Sequence, residues 1–238
     1  ARSDVFEKVE CNCGNADCDE SSIERSDDAY QTLTTVLAQW HARMEQDGSL
    51  PDIGFEIPTA PASGLQFEAQ ISEICAALAV VHAKVTPACG LHIHVDCRDL
   101  TWADIRRVVR CYAHLEPALE AMVPTARLTS GFCNSCGQRY LDWLSGSFTI
   151  PKIKETMQDK LYGYSRSEGR YAKSSGERWE GIKHEKYQQA RYYALNLHSW
   201  VYRGTLEWRL PAGTVGATKI TRWGQLASMM VTHAAVHT

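Results

Sequence analysis

Residues 90–96 read Gly-Leu-His-Ile-His-Val-Asp, and residues 204–210 read Gly-Thr-Leu-Glu-Trp-Arg-Leu. Apolar and polar residues alternate through both, the period of a half-buried β-strand. On the first, Leu91, Ile93 and Val95 take one side while His92, His94 and Asp96 take the other. On the second, Glu207 and Arg209 stand two apart, so both project into the same space.

The surrounding chain supplies helices. Tyr30, Leu33, Val36, Leu37, Trp40 and Met44 recur at helical spacing after a Cys/Asp/Glu loop running to about Asp28. That helix is expected to end near Asp47-Gly48. A brief strand at 53–58 is closed by the run Pro58-Thr-Ala-Pro-Ala-Ser-Gly64, and Leu65 to about Val85 forms a second helix. Thr101 and Asp104 make a capping box that opens a helix of about five turns, with Ile105, Val108, Val109, Tyr112, Leu115 and Leu119 inward. Residues 4–12 and Tyr192–Trp200 read as strands, the latter near enough to 204–210 for a hairpin, and Thr218–His237 reads as a final helix. Strands separated by long helices, with the last two adjacent, predict an α+β fold: a mainly antiparallel sheet with helices packed on one face and a site on the other. One domain over residues 1–238 is expected, with a Cys-bearing segment at 1–28 and a flexible basic insertion at about 123–190.

Composition removes several function classes. Among 238 residues, 44% are hydrophobic and 22% charged, and the net charge of -3 supplies no basic field for nucleic acid or a membrane surface. The longest apolar stretch, Ala76–Val81, falls far short of the roughly 20 residues of a membrane span. The opening Ala1-Arg-Ser-Asp4 carries no apolar signal core, so a reducing, cytoplasmic compartment is expected. No Gly-rich phosphate loop of the P-loop or dinucleotide-binding type is present.

Glu56, His92, His94, Glu207 and Arg209 all fall on predicted strands. Carboxylates with imidazole and a neighbouring arginine can hold hard divalent cations that in turn grip phosphate oxygens. Carboxylate activation wants that equipment. A carboxylate repels nucleophiles until a phosphoryl group from ATP converts it to an acyl phosphate, which an amine can attack.

The stretches Asp47–Pro61 (DGSLPDIGFEIPTAP), Cys89–Asp96 (CGLHIHVD), Arg191–Asn196 (RYYALN) and Gly204–Thr214 (GTLEWRLPAGT) together resemble the amidoligases of the glutamine synthetase-like carboxylate–amine ligase superfamily, over about residues 40–225. The resemblance implies a glutamine synthetase-like catalytic fold and an ATP-dependent ligase that forms an amide or peptide bond through an acyl phosphate, with ATP and Mg²⁺ or Mn²⁺. It implies that Glu56, His92 and Glu207 are metal ligands and that His94 approaches the nucleotide phosphates. Arg209 would bind the substrate carboxylate or its acyl phosphate, with Asn196 and Arg191 lining the same pocket. Family members open on a strand with a Gly-x-Glu-x-Glu pattern. Here that place reads Val5-Phe-Glu-Lys-Val-Glu-Cys-Asn12, whose glutamates stand three apart and so face opposite ways, and Glu10 is taken as the inward ligand. Arg127 and Arg139 are further candidates for a phosphate clamp. Small-molecule or peptide carboxylates and amines are the expected partners, in a bacterial or phage setting with peptide- or cell-wall-modifying activity.

Other readings stand beside these. Glu207 and Arg209 could form a surface ion pair. The chain could be a degenerate ligase that only binds, or a zinc-dependent hydrolase using His92 and His94. Cys11, Cys13, Cys133 and Cys136 could clamp a structural zinc from two loops, remain free thiols or form disulfides. Asp47 and Ser49 could contact substrate or simply end a helix. The basic and aromatic residues of the loop at about 164–185 suit a solvated loop, a nucleic-acid surface or a lid over ATP.

Overall fold

Two of the helices stop at histidines, and this sets the layout of the first part of the chain. α1 (Glu20–Gln39) and α2 (Gly64–Val80) pack Leu33 and Leu37 against Ile74 and Ala77. After α1, His41 adopts a left-handed backbone at φ 50°, His41 N donates to Ala38 O, and Ala42 N donates to Leu37 O. The same pair of bonds follows α2, where His82 sits at φ 53°, its N donates to Ala79 O, and Ala83 N donates to Leu78 O. Both are Schellman terminations with histidine where glycine is usual. α1 therefore ends well before the expected Asp47-Gly48, and α2 before Val85. α1 also begins earlier than expected, at Glu20, so the residues from there to about Asp28, expected as loop, are helical. Past α1, β1 (Glu45–Gln46) pairs antiparallel with β2 (Phe55–Glu56) and sets Glu45 opposite Glu56.

The computed structural model describes residues 20–46, 54–136, 184–186 and 189–236. These divide into two compact units, Ala1–Cys89 with Thr214–Thr221 and Gly90–Gly213 with Arg222–Thr238. The expected strand at 4–12, Glu10, Cys11, Cys13, Asp47, Ser49, Arg139 and most of the loop at 164–185 lie outside the described residues.

In the second unit, Thr101 caps α3 (Trp102–Glu120) as predicted: Asp104 N donates to Thr101 Oγ1 and Thr101 N donates to the Asp104 carboxylate. Ile105, Val108, Val109 and Tyr112 form its buried stripe. They share one core with Trp223, Ala227, Met230 and Val231 of α6 (Ala217–Val236) and with Leu206 and Trp208 of the sheet. That sheet is antiparallel, in the order β3 (Ile93–Asp96), β5 (Thr205–Trp208), β4 (Leu195–Asn196). The chain is thus α+β with small antiparallel sheets and six helices among the described residues. No described helix is long and apolar enough to cross a membrane.

The segment read as the strand Tyr192–Trp200 is mostly something else. Gln189–Tyr192 is a 3-10 turn, only Leu195–Asn196 is strand, and α5 (His198–Arg203) follows. Leu197 stands at the N-cap of α5, and Asn196 Oδ1 just before it accepts from Ser199 N at 3.2 Å, turning the chain out of β4. Gly204, at φ 80°, ends that helix and turns the chain into β5. β4 and β5 do pair, but a helix rather than a tight turn joins them. The irregular region after α3 likewise holds a short helix, α4 (Thr125–Leu128).

Where β3 begins, the pairing slips. Ile93 stands opposite Trp208, yet Gly90 pairs with Ala212. Two residues on one side therefore face three on the other, a bulge that contains Arg209 and Pro211.

Candidate active site

Residues opposite one another in an antiparallel ladder point to the same face. Glu207 of the central strand stands opposite His94 of β3 and Asn196 of β4, so the three form a row across the sheet. Leu206 and Trp208 point into the core, and Thr205, Glu207 and Arg209 consequently share the other side.

That side is closely bonded. Glu207 Oε1 accepts from Arg209 Nη1 at 2.7 Å, and Glu207 Oε2 accepts from Asn196 Nδ2 at 2.5 Å. The Asn196 amide has one possible orientation, because Ser199 N is a donor and must face Oδ1, leaving Nδ2 for the carboxylate. His92 Nδ1 lies 3.5 Å and His94 Nε2 3.9 Å from Glu207 Oε1. The other nitrogen of His94 lies 2.9 Å from Thr205 Oγ1 and 3.3 Å from Ser199 Oγ, and these hydroxyls are 3.0 Å apart. Arg209 Nε donates to Phe132 O at 3.1 Å, and its guanidinium lies 5.9 Å from the Tyr192 ring centre. Arg127, buried on α4, donates from Nη2 to Arg209 O inside the bulge, and its Nε has no hydrogen-bond partner among the described residues. Gly90 makes this approach possible: a Cβ there would lie 2.8 Å from Arg127 Nη2 and 3.2 Å from His92 Nε2.

Glu207 and Arg209 are only 5% and 4% exposed, so they are not the surface ion pair considered from sequence. Burial, reinforced by Arg209, lowers the His92 pKa to about 4. Burial also lowers that of His94. Both rings are therefore neutral near pH 7. Burial pushes the Glu207 carboxyl up, but the Arg209 guanidinium foremost, with the histidines where acid protonates them and the Asn196 amide hydrogen bond, more than reverses this and keeps it ionised near pH 7.

The fold thus brings together five residues singled out in the sequence: His92, His94, Asn196, Glu207 and Arg209. Arg127 joins them through the backbone of Arg209 rather than as a free cation. Arg191 lies on the 3-10 turn, not on a strand; it packs 5.6 Å from the Tyr192 ring centre and donates to Lys186 O. Glu56 belongs to the first unit, exposed on β2. Asp96, on the same face as His94, is bonded to Arg98, which lowers its pKa to about 2. Cys133 and Cys136 are buried, and burial pushes the Cys133 thiol to about 11 and the Cys136 thiol well above its ordinary value. Three contributors were missed. Thr205 was legible, because it precedes Glu207 by two residues and so shares its face. Ser199 and the Phe132 carbonyl reach the site only through tertiary packing and left no periodic signal.

The donor types present, an ionised carboxylate and a neutral imidazole, suit a divalent cation. Completing a shell requires further oxygens, since no group of three or more His, Cys, Asp or Glu among the described residues is set to hold an ion.

A buried guanidinium steadied by an ionised carboxylate, with neutral imidazoles alongside, is chemically able to bind an oxyanion away from bulk water. Over residues 11–231 the chain matches the family described as "putative amidoligase enzyme", and it belongs to that family. Membership assigns it to the amide-forming ligases in general. No curated protein and no solved structure matches it.

Proposed function

We propose that the protein is an ATP-dependent carboxylate–amine ligase with a glutamine synthetase-like catalytic domain, joining a carboxylate to an amine through an acyl phosphate. The observation that carries this reading is the buried Glu207–Arg209 pair beside His92 and His94. Family membership supports amide-bond chemistry, and the polarity of this face supports phosphate and carboxylate substrates.

In this reading each residue has one task. Arg209 commits Nη1 to Glu207 and Nε to Phe132 O, which fixes the plane of the guanidinium and leaves N–H donors for the substrate carboxylate. Asn196 holds Glu207 from the other side, so the carboxylate cannot rotate toward the arginine alone. His94, oriented by Thr205 and Ser199, presents Nε2 toward the transferring phosphoryl group. Glu207 and His92 would hold Mg²⁺ or Mn²⁺, which supplies charge neutralisation for the phosphates. Glu56 and Glu10 stay with the ligand set implied by resemblance, as does Arg139 with the phosphate clamp, and the structural zinc on Cys11, Cys13, Cys133 and Cys136 stays a separate expectation.

The test is ADP release by the full chain with ATP, Mg²⁺ and a pool of amino acids and peptides, with amide products identified by mass. The wild type should release ADP only when a carboxylate and an amine are both present, and His92→Ala should abolish this. Equal background release from both proteins would mean a ligase fold that only binds. Turnover without ATP but with one tightly held zinc, lost on His92→Ala, would mean a hydrolase.

A further inference from the structure

A second carboxylate in this unit is buried as deeply as the first, and its partners lead back to Arg209. Glu116, on α3, is 1% exposed. Its carboxylate accepts from Cys136 N at 3.0 and 3.1 Å, from Ser135 Oγ at 3.0 Å and from Cys136 Sγ at 3.2 Å. All three donors belong to the segment 130–136, which runs along the β4 edge of the sheet, where Asn134 pairs with Tyr193. The segment is tied to the entry of β4 as well: Asn134 N donates to Tyr192 O at 2.8 Å, and Ala194 N donates to Asn134 O at 2.9 Å. Just before these two fastenings in the chain, the Phe132 carbonyl accepts from Arg209 Nε, and the Phe132 ring meets Tyr192 edge-on at 5.4 Å between centres. Arg209 is thereby enclosed by Glu207, Phe132 O and the Tyr192 ring.

A buried carboxylate is a poor way to gain stability, because well-packed apolar side chains in its place often serve as well or better. What it supplies is direction. An apolar contact tolerates sliding, whereas a carboxylate gripping one backbone N–H and two side-chain donors admits one placement of the segment. We propose that Glu116 is a positioning residue for Arg209: it locks the segment 130–136 so that the Phe132 carbonyl fixes the guanidinium plane presented to the substrate carboxylate. The role of Arg209 in this statement rests on the ligase reading above, but the mechanical link from Glu116 to Arg209 does not.

The link is tested by nuclear magnetic resonance on the full chain, following solvent exchange of the Arg209 Nε–H, assigned by its disappearance in Arg209→Lys. In Glu116→Gln one carboxylate oxygen becomes an amide donor facing other donors, and the Nε–H should exchange at least about tenfold faster, together with the amides of 132–136. Ser135→Ala removes one bond and leaves the carboxylate in place. It should give a smaller acceleration of the same signals, and it decides the question should Glu116→Gln fail to fold. An unchanged Arg209 Nε–H in a folded variant whose 135 and 136 amides have lost protection would overturn the proposal. In the ADP-release assay, Glu116→Gln should raise KM for the carboxylate about tenfold while KM for ATP stays within about twofold. If the wild type releases no ADP with any substrate, the ligase reading fails, and the exchange data still decide the link.

Discussion

The Glu207–Arg209 pair is best tested by a double-mutant cycle. Its atoms lie 2.7 Å apart with both side chains almost fully buried. At an effective dielectric constant of about 20, two unit charges at that separation attract by about 6 kcal/mol. Desolvation of both groups opposes this, so the pair adds little net stability, but removing one member strands the other. Glu207→Leu leaves the Arg209 guanidinium buried without its counter-charge and frees the Asn196 amide, and should cost about 3–5 kcal/mol. Arg209→Met leaves the Glu207 carboxylate and the Phe132 carbonyl without that donor and should cost about the same. The double variant strands no charge, only the Asn196 amide and the Phe132 carbonyl at about 1–2 kcal/mol each, partly offset by the relieved desolvation. It should lose less than either single variant, a coupling of at least about 3 kcal/mol. Urea unfolding followed by tryptophan fluorescence measures all four proteins, with an unchanged denaturant slope required for the comparison. Single losses below about 1 kcal/mol that add in the double variant would refute the reasoning, because the pair would then be solvated rather than buried.

Three further outcomes follow from named contacts. Gly90→Ala sets a Cβ 2.8 Å from Arg127 Nη2 and 3.2 Å from His92 Nε2, and Arg127 is itself tied to Arg209 O; the variant should lose about 1–3 kcal/mol on thermal melting and should also lose ADP release. His82→Gly relieves a left-handed residue at φ 53° and should raise stability by up to about 1 kcal/mol, net of the added freedom of the unfolded chain; a fall in melting temperature would show that the histidine side chain contributes more than its backbone costs. Bonding to Thr101 holds the Asp104 carboxyl below its ordinary range, so the unfolded state binds the proton more readily. The capping contribution should be complete above that range and vanish as pH falls through the lower folded value. Wild type and Asp104→Asn should therefore differ by a constant amount above about pH 5 and converge as pH falls through the lowered folded value, as read from urea midpoints.

Much of the site was legible because alternation along a strand is a local property. His92, His94, Glu207 and Arg209 could be assigned to faces from spacing alone, and the structure keeps those faces. The helix ends were less legible. His41 and His82 take the place where glycine usually marks the stop, and a histidine carries no such signal until the bonds behind it are seen. The strand expected through Trp200 failed because the chain turns into a helix after Asn196, whose Oδ1 accepts from Ser199 N.

The sequence by itself determined which residues alternate, where α3 starts, and that carboxylate, imidazole and guanidinium are available on strands. The tertiary structure decided who meets whom. Register set His94 and Asn196 on either side of Glu207, the bulge opened room for Arg127 behind Gly90, and the segment from α4 delivered Phe132 O to Arg209. The reason is physical. Periodicity follows from the geometry of one stretch of chain, whereas register, burial and hydrogen-bond partners depend on surfaces from elsewhere, Asn196 eleven positions from Glu207 and the strand of His94 more than a hundred, and only packing brings them together.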